Sequence, residues 1–179
     1  MMTREKIKQL ALASGFTHTG PLDVDTIQIR EEVRAACAEN KCKAYNSNWS
    51  CPPACGTLAE CEAMLRKYKN GFILQTTGVL QDTLDYEEML EIGKDHGKHI
   101  AAFREEINVL YPDSLLLGAG GCKRCEKCTY PGSPCRFPNE MIHSMEAFGM
   151  VVSDVCKNND LPYYYGPNTL TYVGCILIE

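Results

Sequence analysis

Ser114-Leu115-Leu116-Leu117-Gly118-Ala119-Gly120-Gly121-Cys122-Lys123-Arg124-Cys125-Glu126-Lys127-Cys128 is the stretch that decides the fold. Its first half is a short apolar run closed by glycine, the pattern of a buried strand from Ser114 to Ala119. Its second half runs without a linker into three cysteines at two-residue gaps. A fourth follows in Cys135-Arg136-Phe137-Pro138. A strand that delivers a cysteine loop places the loop at a sheet end, and the rest of the chain must supply the sheet.

The flanking sequence does so. Ile7, Leu10, Ala11 and Ser14 lie on one face of a first helix, with Thr3 as its cap and Gly15 as its stop. An extended piece near Thr17 to Val24 follows. Asp25 is then expected to cap a helix from Thr26 to about Ala36 that delivers Cys37. Thr57-Leu58-Ala59-Glu60 is a capping box that opens a helix from Leu58 to about Lys69, ended by Gly71. Phe72 to Leu80 reads as a strand. From about Leu84 to Leu110, Met89, Gly93, His96, Ile100, Phe103, Ile107 and Leu110 recur as one helical stripe. Asn139 to Asn159 reads as helical, broken near Gly149. Tyr163 to Tyr165 and Thr169 to Ile178 read as two strands paired around Gly166-Pro167-Asn168. Helices alternate with strands, so the expectation is an α/β or α+β domain spanning 1–179, a small mixed sheet flanked by helices. Its two cysteine loops lie at about 37–61 and 120–138.

Composition excludes several classes. The net charge of −5 argues against a nucleic-acid binder. No apolar run reaches the roughly 18 residues of a membrane span. The N-terminus lacks the apolar core of a signal peptide, so the expected location is the cytoplasm. Eleven cysteines in 179 residues is a high and odd count. Disulfides need an oxidising compartment, and clustered C-x2-C spacing in a reducing one points to metal or cluster ligation.

In the second loop the pattern is C-x2-C-x2-C-x6-C. Consecutive thiolates at two-residue gaps reach adjacent irons of a 4Fe-4S cluster. Zinc accepts four thiolates too, but usually from two separated knuckles. The expected ligands are Cys122, Cys125, Cys128 and Cys135, with the six-residue arm folding Cys135 back onto the same cluster. Gly118, Gly120 and Gly121 let backbone N–H groups approach sulfur. Lys123, Arg124, Lys127 and Arg136 outnumber Glu126 and offset cluster charge, or form a docking patch for an acidic redox partner.

The first loop holds Cys37, Cys42, Cys51, Cys55 and Cys61. Its gaps match no simple zinc knuckle, so a second cluster or a looser metal site is expected. Cys37, Cys42 and Cys51 are the expected metal ligands. Cys55 and Cys61 read equally as cofactor ligands or as small buried hydrophobes. If only three thiols bind, one iron is open to substrate. Cys156 and Cys175 read as core thiols, and His96 as a core histidine. His99, three residues on, makes a weak metal pair with it.

Cys37-x4-Cys42-x2-Tyr45-x3-Trp49-Ser50-Cys51-Pro52-Pro53 and Gly121-Cys122-x2-Cys125-x2-Cys128-x6-Cys135-Arg136-x-Pro138, followed by Ser144-Met145-Glu146-Ala147-x-Gly149, together resemble the DUF2284 family of predicted metal-binding proteins. The resemblance covers roughly 30–179. It implies a cysteine-bound metal, as iron–sulfur, and adds weight to Cys37, Cys42 and Cys51. Three readings stand: an iron–sulfur protein that carries electrons or supports a redox partner, a zinc-stabilised interaction module, and a reductase with an open-site cluster in the first loop.

Overall fold

A computed structural model describes residues 4–82 and 84–179. The Thr3 cap expected for the first helix lies outside the described residues. The chain is mixed α/β. Its sheet has five strands in the order β1-β2-β5-β3-β4: β1 His18–Asp23, β2 Asn70–Val79, β5 Thr169–Ile178, β3 Leu115–Gly118 and β4 His143–Ser144. Every neighbouring pair is antiparallel except β3 with β4, where Leu117 and Gly118 pair in parallel with His143 and Ser144.

Strand alternation sorts the core into two layers, because successive side chains leave a strand on opposite faces. Phe72, Leu74, Leu116 and Ile176 go to one face, and Ile73, Leu117, Cys175 and Leu177 to the other. The first face is covered by α1 (Arg4–Ala13) and α4 (Tyr86–Leu110) through Ile7, Ala11, Ile100, Phe103 and Ile107. The second is covered by α3 (Leu58–Leu65), α5 (Val152–Asn158) and the Met145–Met150 segment. Apolar residues three and four apart give α4 its buried stripe, and the Asp85 side chain accepts from Glu88 N to start it.

The capping box of α3 is formed as expected: Glu60 N donates to Thr57 Oγ1 at 3.2 Å, and Thr57 N donates to Glu60 Oε2 at 2.7 Å. The helix nevertheless ends at Leu65, before Lys69, and Gly71 belongs to β2. Other elements also depart from expectation. The helix that carries Cys37 is α2, Glu31–Ala38, not Thr26 onward. Asp25 does not cap it: Asp23 accepts from Asp25 N and shapes a short 3-10 turn, while Ile29 bridges Met150 in extended conformation. Residues 139–159 are mostly not helical. Their hydrogen bonds go to β3 through β4 and into a 3-10 turn ended by Gly149, whose φ of 76° suits glycine. Only Val152–Asn158 winds as helix. Tyr163–Tyr165 forms no strand. Tyr165 Oη instead donates to Gln75 Oε1 at 2.6 Å, its ring stacks on His18, and β5 finds its partners in β2 and β3.

Candidate metal centre

The second cysteine segment leaves the end of β3 and folds back on itself. Ser133 N donates to Thr129 O at 3.0 Å, Thr129 Oγ1 to Pro134 O at 2.9 Å, and Arg136 to Lys127 O at 3.0 Å. These bonds return the six-residue arm beside its start. Cys122, Cys125, Cys128 and Cys135 consequently line one cavity of about 370 Å³, open to solvent, with Trp49, Phe137 and Met141 in its wall. All four thiols are partly exposed. Among the described residues, no three His, Cys, Asp or Glu side chains group closely enough to hold a metal ion. The thiols form a lining, not a closed coordination shell.

The rim is basic. Lys123, Arg124, Lys127 and Arg136 are exposed. Arg124 sits 4.2 Å over the Phe137 ring and pairs with the Glu140 carboxylate. That contact holds Phe137 at the cavity wall, where its apolar ring lies beside the thiols.

The first segment docks on the second. Cys122 N donates to Ser50 Oγ at 2.8 Å, Trp49 Nε1 donates to Ser133 O at 3.1 Å, and Tyr130 Oη donates to Asn46 Oδ1 at 2.6 Å. Trp49 and Tyr130 meet edge to face. Gly121 makes the approach possible: a Cβ there would lie 3.2 Å from both Cys51 Sγ and Asn48 Nδ2. The absent side chain of Gly121 thus leaves room for the first segment to pack against the start of the second. Backbone and side-chain bonds hold the first segment itself, with Ser50 N and Oγ both donating to Asn48 Oδ1.

Its five cysteines differ in their surroundings. Cys37, Cys42 and Cys51 lie within reach of one another's charge, and Cys51 also of Cys122. Burial pushes the Cys37 and Cys51 thiols up, and Glu146 adds to this at Cys37. Cys55 and Cys61 interact as a pair, and Cys55 also lies within reach of the Cys51 charge. Cys61 is fully buried in the core at 0% exposure, in the middle of α3. The hydrogen bond from Cys55, with Arg34, favours Cys61 as the thiolate and holds Cys55 as the thiol. Arg34 Nη1 donates to Cys61 Sγ at 3.6 Å, and the same guanidinium donates to the carbonyls of Ala147 and Gly56. Cys156 and Cys175 are buried core thiols. None of the 11 cysteines is in a disulfide.

His96 is buried, with Nδ1 3.0 Å from Thr76 Oγ1, and His99 Nδ1 shares that hydroxyl at 3.0 Å. The two histidines are thus joined through Thr76. Arg34, Arg104 and Thr76 carry no pattern in the sequence that marks them, and Ser50, though it stands in the Trp49-Ser50-Cys51 motif, shows no sign there of its contact with Cys122. Their roles arise from contacts between distant segments.

The mixed sheet thus carries a cysteine-lined cavity at one strand end. The chain belongs to the DUF2284 family, described as predicted metal-binding proteins, whose sequence pattern matches residues 20–178. No curated protein and no solved structure matches the chain.

Proposed function

We propose that this metal-binding protein is an iron–sulfur protein, with Cys122, Cys125, Cys128 and Cys135 as ligands of one 4Fe-4S cluster, and that it passes electrons to or from a partner protein in the reducing cytoplasm. The observation that carries the reading is the return of Cys135 to the cavity that the other three thiols line. Thiols spread around one cavity suit a polyatomic cluster, whose irons are reached one thiol each. A lone zinc needs four sulfurs at about 2.3 Å from one point. When bound, the cluster supplies one-electron transfer. The chain's own residues set its surroundings: the four basic side chains offset its negative charge and raise its potential, while Trp49 and Phe137 supply apolar wall beside the thiols. The same exposed bases offer a rim to an acidic redox partner.

A second reading concerns the first segment. Cys37, Cys42 and Cys51 lie within reach of one another's charge, whereas Cys61 is engaged by Arg34 and Cys55 interacts with Cys61. A metal cluster held by the first three alone has a position free for a small ligand, the condition for a reductase.

Anaerobic purification with visible and EPR spectroscopy tests both. A brown protein with a reducible chromophore is expected, and a small exogenous ligand is expected to perturb only the first-segment signal. Colourless protein holding stoichiometric zinc, with no redox response, would establish the interaction-module reading instead.

A further inference from the structure

We propose that the groove between α4 and residues 118–124 binds a small organic anion, with Arg104 and Lys123 on its acidic group and His96 at its buried end. The groove encloses about 1450 Å³ of space open to solvent. It abuts the cysteine cavity, because Cys122 and Arg124 line both. Helix α4 leaves room for it at Gly97, where a Cβ would meet nothing within 4 Å. The inference goes beyond the cluster reading and stands without it.

The charges on the wall are unequal in what they have left to offer. Lys94 pairs with Glu91 and Lys98 with Asp95 on the outer face of α4. Arg124 is engaged by the Glu140 carboxylate. Lys123 has no ion pair among the described residues. Arg104 is half-buried and gives one donor to the Glu140 carbonyl, with no carboxylate partner among the described residues. A guanidinium carries five N–H donors in a planar fork, so Arg104 keeps donors for a second oxygen ligand. Its position within the field of Cys122 places that ligand next to the metal loop.

The inner end supplies an independent observation. His96 is 2% exposed and lines the groove, yet its Nε2 is a buried atom without a hydrogen-bond partner. Its other nitrogen is engaged by Thr76. Buried polar atoms are nearly always satisfied, so an orphaned one at a groove floor points to a ligand atom. Ile100, Ala101 and Ile142 add an apolar wall to the groove. An apolar wall together with a cationic end and a single polar atom fits a carbon skeleton bearing a carboxylate or a phosphate.

Isothermal titration calorimetry on the anaerobically purified, metal-loaded protein tests this, with benzoate and inorganic phosphate as separate probes. Saturable one-to-one binding of at least one probe is expected. Lys123→Glu, an exposed substitution, should weaken it at least about tenfold. Lys157→Glu, away from the groove, should not. Stronger binding of benzoate assigns a carboxylate with an apolar body, and stronger binding of phosphate assigns a phosphate. Metal content is measured in each variant, so lost binding at full metal content reports on the groove alone. Binding at full strength by a metal-free preparation would separate the groove from the cluster reading. No saturable heat with either probe, or equal affinity in wild type and Lys123→Glu, overturns the proposal.

Discussion

The two cysteine segments are built on different physical terms. The second leaves a strand end, keeps every thiol partly exposed, and turns four of them toward one cavity. The first is divided: Cys61 is core, Cys51 is buried against the second segment, and Cys42 is exposed. Cysteine density alone makes the two segments look equivalent. Burial and partners separate them. A thiol packed into a core and held by a guanidinium is already engaged, whereas a thiol on a cavity wall is available to metal.

Replacing thiols is the strongest way to break this contrast. Cys125→Ala with Cys128→Ala should abolish the second-segment metal, read as loss of its visible absorption and iron. Cys55→Ala with Cys61→Ala should leave both the absorption and the iron in place, and their loss in that variant would mean the pair are ligands after all.

Arg34→Met should be next in size. It removes one cation that donates to two carbonyls and a thiol around the first segment. A stability loss of about 3 kcal/mol in chemical denaturation is expected, since each charged hydrogen bond contributes about 1.5–3 kcal/mol. The second-segment absorption should persist.

A comparable effect, located in neither segment, comes from pH. Burial lowers His96 from 6.5 to about 4, with His99 and Lys123 adding to the shift. The unfolded chain therefore binds this proton first as pH falls. The His96 contribution is fully present above pH 6.5, declines on acidification, and is gone below about pH 4. The change is on the order of 3 kcal/mol. Denaturation curves of His96→Gln should lack this component of the pH slope, and an unchanged slope would show that His96 is not the group responsible.

The smallest effect probes the seam between the segments. Ser50→Ala leaves Cys122 N without its acceptor and should cost about 1–2 kcal/mol. It should also alter the EPR line shape of the second-segment centre. An unaltered spectrum would mean the seam does not reach the metal.

Local signals in the sequence were enough for some of this. The Thr57 and Glu60 box, the α4 stripe from His96 to Ile107 and the strand ahead of Cys122 each depend on residues a few positions apart, and each is present, although Leu110 at the end of the stripe is exposed and Ile92, not Met89, is its buried start. What sequence reading missed depends on distant partners. Strand β5 was legible, but its pairing with β2 and β3 was not, because a hairpin with Tyr163–Tyr165 satisfies the same local pattern. Residues 139–159 have helical spacing, yet the edge of β3 claims His143 and Ser144. The second segment's thiols could be read from spacing. The docking of Ser50 on Cys122, across 72 positions, could not, nor could the engagement of Cys61 by Arg34. His96 was legible as a core histidine; only its three-dimensional surroundings reveal the unpartnered nitrogen.

Iron and acid-labile sulfide counted per chain on anaerobically purified protein test the central claim most directly. The account predicts about four of each for every cluster held, and therefore at least about four per chain. Zinc at one equivalent with neither iron nor sulfide would contradict it.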